Sequence, residues 1–409
     1  MNPCRLCGAQ LRHSFCDLGM SPPSNAFLRV EQLNAMERFY PLHAWVCGKC
    51  KLVQLEEFET PERLFADDYP YFSSYSETWL RHGKAFVSLA SERFSLGVSQ
   101  RVIEIGSNDG YLLQFFKERG LSVLGIEPAA NVALAAEERG IQTRIEFFGT
   151  ECARRLAAEG IHADLMVGNN VLAHVPALND FVEGIRLLLS PNGVATLELP
   201  HLLRLMQETQ FDTIYHEHFS YFSLTAAERL FSSHAMRIFD VDELPTHGGS
   251  LRLYICHAAA PTHHLGAAVA KVHADERAAG LDSLSPYSCF QEHVLALKCA
   301  LLEFLIDAKR AGKRIAAYGA AAKGNTLLNY CGVGGDFLDY VADLSPHKQG
   351  KFLPGTHIPV VAPARIRETR PDYLLILPWN IKDEVMAQNA FVREWGGRFV
   401  IPIPRIAVL

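Results

Sequence analysis

No apolar run in this sequence approaches the roughly 20 residues needed to cross a bilayer, so a helical membrane span is excluded. The opening residues, from Pro3 to Cys7, lack the apolar segment of a secretory signal, and a cytoplasmic location is expected. Excess positive charge is missing too. Lys and Arg number 39 against 45 Asp and Glu, a formal net charge of -6, and without a basic surface no nucleic acid is expected as partner, although local basic pockets fit that total. With 49% hydrophobic and 21% charged residues the composition is that of an ordinary globular protein, and 409 residues exceed what one core sustains. Two to three domains are therefore expected. The 10 cysteines, in a reducing compartment, point to metal or chemistry before disulfides.

A pyrophosphate-cradling G-x-G-x-x-G loop is also absent. In its place Arg101 to Tyr111 reads R-V-I-E-I-G-S-N-D-G-Y, a short β-branched run broken by Gly106 and Gly110 and followed at once by the amphipathic Leu112, Leu113, Phe115, Phe116. That pattern predicts strand, turn and helix. Gly106 lets backbone approach a ligand at the carboxyl end of a strand, where open α/β sheets bind. About twenty residues on, a second apolar run ends in Glu127, an acid able to accept hydrogen bonds from both hydroxyls of a ribose. A loop of this form suits an adenosyl ligand without phosphates. With Glu104, Gly106, Asp109 and Glu127 in place, it resembles motif I and the following acid of S-adenosylmethionine-dependent methyltransferases; an ordinary βαβ turn with a chance acid is the alternative.

Cys4-x-x-Cys7 opens the chain and Cys47-x-x-Cys50 follows after a long insert. Two such knuckles complete a tetrahedral zinc site, and four thiolates fill it, so the metal should be structural. Cys16 is a spare, better read as a core residue. Between the pairs, S-P-P-S-N at 21 to 25 and the alternation around His43 to Val46 predict turns and short strands.

From Asp68 the chain reads D-Y-P-Y-F-S-S-Y-S-E-T-W, dense in aromatics: Tyr69, Tyr71, Phe72, Tyr75 and Trp79. These either pack a link between two modules or turn phenol hydroxyls toward a substrate. A helix is predicted from Ser76 to Phe94. Beyond Glu127, helix Asn131 to Arg139, strand Gln142 to Phe147 ending in Phe147 and Phe148, helix Thr150 to Glu159 and strand Ala163 to Val167 alternate regularly. That means a doubly wound, largely parallel sheet. Asn169, Asn170 and His174 follow the last strand on the same edge as Gly106 and Glu127. Asn170 and His174, four residues apart, would share a helical face, unless Asn170 merely caps the helix. The cofactor-binding set expected along this edge is Glu104, Gly106, Asn108, Asp109, Glu127, Pro128, Phe147, Phe148 and Asn169.

Tyr215 to Tyr221 places two histidines, a carboxylate and two tyrosines in one short stretch, Y-H-E-H-F-S-Y. The H-E-x-x-H zinc helix is absent, since His216 and His218 would leave a helix on different faces. A proton-transfer group is the better reading, with a structural histidine cluster as the alternative. Next, T-H-G-G-S-L-R-L-Y-I pairs His247 and two glycines with Ser250 and Arg252, either an anion site or a hairpin. A long helix from Pro286 to Ala311 reads as a linker. After it, K-R-I-A-A-Y-G-A-A-A-K-G-N-T begins a second, smaller α/β sheet with further strands at Asp339 to Ala342 and Tyr373 to Leu377. Its glycine turn, beside Lys323 and Asn325, suits a phosphate or nucleotide.

With zinc knuckles first, a methyltransferase core next, I-Y-H-E-H-F-S-Y-F-S after it and Y-G-A-A-A-K-G-N-T last, the whole chain resembles the deoxysugar C-methyltransferase family. The resemblance implies three parts: a zinc module over 1–75, an S-adenosylmethionine-binding class I methyltransferase domain over 76–285, and a smaller Rossmann-like domain over 286–409 that binds nucleotide sugar. It implies S-adenosylmethionine and structural zinc as cofactors, and a nucleotide-linked 4-keto-6-deoxy sugar as partner to a monomer. His218 is implied as the base, with Tyr215 and Glu217 beside it, Asn170 and His174 in the pocket, and Tyr69 as the active-site tyrosine, Tyr71 and Tyr75 staying open. Methylation would fall at C3. The rival readings are methylation at C5 and a zinc-containing scaffold with a dead cofactor fold.

Overall fold

The computed structural model describes residues 3–60, 69 and 71–409, so Asp68 and Pro70 of the aromatic link lie outside the described residues. Among the described residues three sheets order the chain. The first begins as an antiparallel meander of β1 (His13–Ser21), β2 (Tyr40–Val46) and β3 (Val53–Leu55). Cys4 and Cys7 precede β1, and Cys47 and Cys50 occupy the turn from β2 to β3. Cys16 is fully buried in the core, as a spare cysteine should be.

The central sheet holds β4 (Arg101–Ile105), β5 (Ser122–Ile126), β6 (Thr143–Arg144), β7 (Ala163–Asn169) and β8 (Leu189–Pro200), all parallel. Then β9 (Ser220–Tyr221) leaves it to pair with β3, placing Val53 opposite Tyr221 and closing the first sheet. The chain returns through β10 (Met236–Leu244) and β11 (Ser250–His257). Strand order is β10-β11-β8-β7-β4-β5-β6, with β11 antiparallel to both neighbours. This is the class I methyltransferase sheet. Because the order reverses at β4, the ligand crevice opens at the carboxyl ends of β4 and β7.

Most predicted elements form within a residue or two of their expected ends, including the helix Glu77–Arg93, whose amino end is capped by the Ser76 hydroxyl. The strand expected over 142–147 is shorter. Past Arg144 the Glu146 amide turns back onto the Arg144 carbonyl, and Phe147 is left 41% exposed at the sheet edge.

The third sheet runs β14-β13-β12-β15-β16-β17, built from β12 (Ile315–Tyr318), β13 (Val341–Ala342), β14 (Val360–Val361), β15 (Tyr373–Ile376), β16 (Arg398–Ile401) and β17 (Ala407–Val408). Only β17 is antiparallel, and the order reverses at β12, whose glycine turn leads into helix Ala322–Cys331. The long helix, Ser285–Arg310, is a core element rather than a linker. Tyr287, Phe290, Val294, Leu297, Leu301 and Leu305, spaced three and four apart, are buried in one cluster with β1 and the third sheet. Phe290 stacks on Phe15 with centroids 4.6 Å apart, and each such side chain contributes roughly 1.5–3 kcal/mol of burial.

Candidate active site

The turn after β4 is shaped by its backbone. Gly106 has φ +66, and a Cβ there would stand 2.6 Å from the Val171 side chain. Only glycine fits this conformation and this approach. Glu104 is wholly buried at the strand end. Neither of its oxygens has a hydrogen bond of normal geometry among the described residues, although the Tyr111 hydroxyl stands close enough to favour the charged form, and burial raises its pKa well above the usual range. Asp109 Oδ1 is likewise buried without a partner among the described residues. Glu127 accepts the Asn108 and Ala129 amides at 2.9 Å, one on each oxygen, which fixes the carboxylate and leaves each oxygen a lone pair directed elsewhere. Burial lifts its pKa to about 7. Asn169, at the end of β7, donates to the Tyr111 hydroxyl at 3.2 Å. Buried acids with spare acceptor oxygens around a glycine that admits no side chain are what an adenosyl ligand rich in hydroxyl and amine donors would satisfy. The residues present therefore fit S-adenosylmethionine, which this fold binds. Phe148 packs against Phe181 at 5.4 Å.

The aromatic link lies over this loop. Asn108, itself at φ 48, accepts from the Ser73 amide at 2.8 Å and donates to the Tyr71 carbonyl at 3.1 Å. Ser74 donates to Asp109, and Asn131 donates to the Tyr69 carbonyl at 2.9 Å. Phe72 stacks on His347 from the third-sheet side. Tyr71 and Tyr75 are 48% and 61% exposed. Tyr69 is turned inward, and burial together with the charge of Glu217 holds its phenol well above the usual pKa.

The four knuckle thiols converge, all within 4.8 Å of one another, with Cys4 and Cys50 sulfurs 3.5 Å apart and Cys7 and Cys47 sulfurs 3.6 Å apart. Zn–S bonds of about 2.3 Å in a tetrahedron require sulfurs roughly 3.8 Å apart, so the set fits zinc and leaves no open ligand position. Arg5, between the first two cysteines, lies 5.3 Å over the Phe219 ring and donates to the Leu55 carbonyl. The zinc knuckle is thus packed onto the histidine stretch.

That stretch turns its side chains two ways. His216 points to the first sheet, its Nε2 on the Pro41 carbonyl at 3.3 Å and its ring against Tyr40 and Phe58. His218 points into the crevice. Its Nδ1 meets the Thr213 carbonyl at 2.9 Å and its Nε2 meets the Tyr215 hydroxyl at 2.8 Å. A carbonyl only accepts, so Nδ1 carries the proton and Nε2 is the free base. Burial, with His174, Lys323 and His247 nearby, keeps this imidazole neutral, far below its usual pKa. His174 stands edge-on to it at 4.6 Å and gives its own Nδ1 proton to the Glu217 carbonyl at 2.7 Å.

Asn170 and His174 do not share a helical face. Asn170 adopts φ 56, and only a single 3₁₀ turn, Leu172–His174, follows, so the four-residue spacing does not align them. Asn170 instead donates to His247 Nε2 at 3.2 Å. Asn108, Asn170 and His247 all hold left-handed backbone, a clustering of strain that belongs to functional sites. Lys323 reaches the same crevice over the Trp379 ring at 5.0 Å and donates to Asn380 at 2.9 Å. Burial lowers its pKa, with Asp212 acting against that.

Three expected substrate contacts are engaged elsewhere. Arg252 pairs with the buried Glu198 at 3.0 Å, lies over Phe86 at 4.4 Å, and so is neutralised inside the sheet rather than offered to an anion; Ser250 donates to the Thr246 carbonyl at 2.9 Å. Asn325 is buried and donates to the Ser24 carbonyl at 3.1 Å. Conversely, Asn25, Asp212 and Trp379 reach the site without a motif to announce them. Asp212 accepts from Trp379 at 2.7 Å, and Asn25 from Glu217's far side donates to that carboxylate at 2.7 Å.

Three family descriptions match the chain in order: a zinc binding domain over residues 4–65, a methyltransferase domain over 79–234 and a C-methyltransferase C-terminal domain over 245–404. The C-methyltransferase NovU of Streptomyces niveus is 36% identical over 409 residues, covering 100% of this chain and 97% of that protein. Among solved structures, an S-adenosylmethionine-dependent methyltransferase from Clostridium acetobutylicum ATCC 824 is 8% identical with a TM-score of 0.36, over 44% of this chain and 92% of that one. The magnesium protoporphyrin IX methyltransferase of Synechocystis PCC 6803, solved with bound S-adenosylmethionine, is 14% identical with a TM-score of 0.33, over 48% and 88%. Strand order, rather than these distant likenesses, carries the fold.

Proposed function

This chain belongs to the C-methyltransferase family, and from that premise we propose that it methylates C3 of a nucleotide-linked 4-keto-6-deoxy sugar, the nucleotide being thymidine diphosphate. A sugar carbon becomes a nucleophile only as a carbanion, and its C–H is acidic enough only beside a carbonyl. The observation that carries the reading is the pair of His218 contacts, Nδ1 on the Thr213 carbonyl and Nε2 on the Tyr215 hydroxyl, from which Nε2 is the unprotonated nitrogen. With sugar bound, the Tyr215 hydroxyl gives up its bond to that nitrogen, whose lone pair takes the C3 proton while the electron pair of the C–H bond passes into an enolate. Bound S-adenosylmethionine supplies an electrophilic methyl, held by Glu104, Gly106, Asn108, Asp109, Glu127, Pro128, Phe147, Phe148 and Asn169.

His174 commits its Nδ1 proton to the Glu217 carbonyl. Enolate stabilisation falls to donors, and Asn170 keeps one amide N–H beyond the one given to His247. Lys323, at the glycine turn of the third sheet, faces the diphosphate, and Tyr69 faces the sugar. The work divides as a zinc module over 1–75, a cofactor domain over 76–285 and a nucleotide-sugar domain over 286–409. Incubation with methyl-labelled cofactor and a panel of nucleotide-linked 4-keto sugars, with the label located by NMR, tests this reading. Label at C3 is expected; label at C5 moves the chemistry to the other neighbour of the ketone, and label on oxygen or nitrogen sinks it.

A further inference from the structure

Glu217 is buried between three sheets, and a residue of the first sheet's own loop reaches it. The S-P-P-S-N turn that ends β1 is clamped on one side by helix Ala322–Cys331, where Asn325 donates to the Ser24 carbonyl at 3.1 Å and the Ser24 and Thr326 hydroxyls meet at 3.3 Å. On its other side the turn presents Asn25, whose Nδ2 donates to Glu217 Oε1 at 2.7 Å, a bond that spans 192 residues of sequence. Packing fixes both ends of this contact. The Glu217 backbone is fixed in turn, since its carbonyl receives His174 and the neighbouring His218 amide bonds the Tyr215 carbonyl at 2.8 Å.

We propose that Asn25 is a positioning residue for the reaction read above: its side-chain amide holds Glu217 as an oriented carboxylate near the Tyr69 and Tyr215 phenols, the second of which bonds His218, so that the zinc module builds part of the active site. This rests on that reading of His218 and Glu217. The other charged and titratable groups that act on or respond to Glu217 are Lys348, from the third sheet's side, and the phenols of Tyr69 and Tyr215. Lys348 is held by the Ala320 carbonyl at 2.9 Å and lies 3.9 Å from Asp343, so its charge is shared. Asn25 is thus the direct side-chain donor to this carboxylate among the described residues. An amide donor favours the ionised carboxylate without adding a charge that would repel the proton His218 must accept.

The test uses the full chain with its zinc, a thymidine-diphosphate 4-keto-6-deoxy sugar, and two readouts: methyl transfer, and deuterium exchange at the sugar carbon in D2O without cofactor. Asn25→Ala should lower both about 10-fold, leave the cofactor KM unchanged, and move the acid limb of the exchange profile up by about one pH unit, because the carboxylate loses a donor. In a Glu217→Ala background, where the Asn25 amide has lost its acceptor, the same substitution should cost nothing further, since the two residues act as one unit. Losses that multiply in the double variant, an unmoved acid limb, or near-normal exchange in Asn25→Ala would overturn the proposal. Should Asn25→Ala lose its zinc or fold, Asn25→Asp reads the same contact isosterically: two facing carboxyls share a proton, so its activity should recover toward acid pH, and a wild-type profile there is equally fatal. Exchange that survives in His218→Asn removes the reading itself, whereas any of the Asn25 failures with His218→Asn inactive removes only this inference.

Discussion

Substituting His218 by Asn isolates the proposed base. The Asn amide nitrogen occupies nearly the place of Nδ1, so the donor to the Thr213 carbonyl at 2.9 Å is kept while the acceptor facing Tyr215 is deleted. The fold should lose about 1 kcal/mol for the orphaned phenol hydroxyl. Catalysis should lose far more. Tyr215 cannot replace the base as phenolate, because burial and Glu217 push its pKa well above the usual value. His174 is the nearest substitute, 4.6 Å away and with its pKa pushed down to about 4 by burial, hence neutral, but it stands edge-on and away from the position His218 occupies. Loss of a general base typically costs at least 10²-fold, about 2.7 kcal/mol of barrier, and the residue left by His174 should fall again in the His174→Asn double variant. Stopped methyl-transfer assays give the rate and calorimetry the cofactor affinity, which should be unchanged. Turnover within about threefold of wild type would refute the reasoning, since no single decade is then assigned to the imidazole.

Three further outcomes follow from the geometry. Removing zinc by chelation, or by Cys50→Ser, should abolish deuterium exchange at the sugar carbon while S-adenosylmethionine binding by calorimetry survives, because β9 belongs to the zinc-bearing sheet and the cofactor strands do not. Gly106→Ala should weaken cofactor binding by about 10-fold or more, as its Cβ meets Val171 at 2.6 Å in a left-handed conformation; unchanged affinity by titration calorimetry would contradict this. Activity should fall as pH drops through about 7, where Glu217 takes up a proton, whereas His174 and His247, at about 4, and His218, held by burial well below its usual value, stay neutral throughout that fall. An acid limb that persists in Glu217→Gln, or imidazole nitrogen shifts of charged rings at pH 6, would reverse the assignment.

Where function is carried by local pattern, the sequence was readable. Gly106, Gly110 and the acid at 127 specify a turn and a strand end through backbone requirements that few residues meet, and the paired C-x-x-C knuckles specify a metal through ligand count. Helix and strand ends were legible where a cap or a β-branched run marks them, as at Ser76 and at Val102 and Ile103. Long-range commitments were not. Arg252 reads as an anion ligand until Glu198, far off in sequence, is seen at 3.0 Å from it. The helix 285–310 reads as a linker because its apolar stripe is ordinary, and only its contacts with β1 and the third sheet make it core. Asn25, in a loop of prolines and serines, has no periodicity or motif, and its contact with Glu217 exists only after three sheets have assembled.

The pairing of β3 with β9 has a consequence for how this chain can be taken apart. Two short segments that lie far apart in the gene share backbone hydrogen bonds, Leu55 to Phe219 at 3.0 Å among them, so neither is complete when expressed without the other. A chimera that imports a foreign amino-terminal third would bring a mismatched edge to the segment bearing the imidazole. Exchanging specificity between relatives therefore calls for transplanting the knuckle region and the 211–223 segment as one cassette.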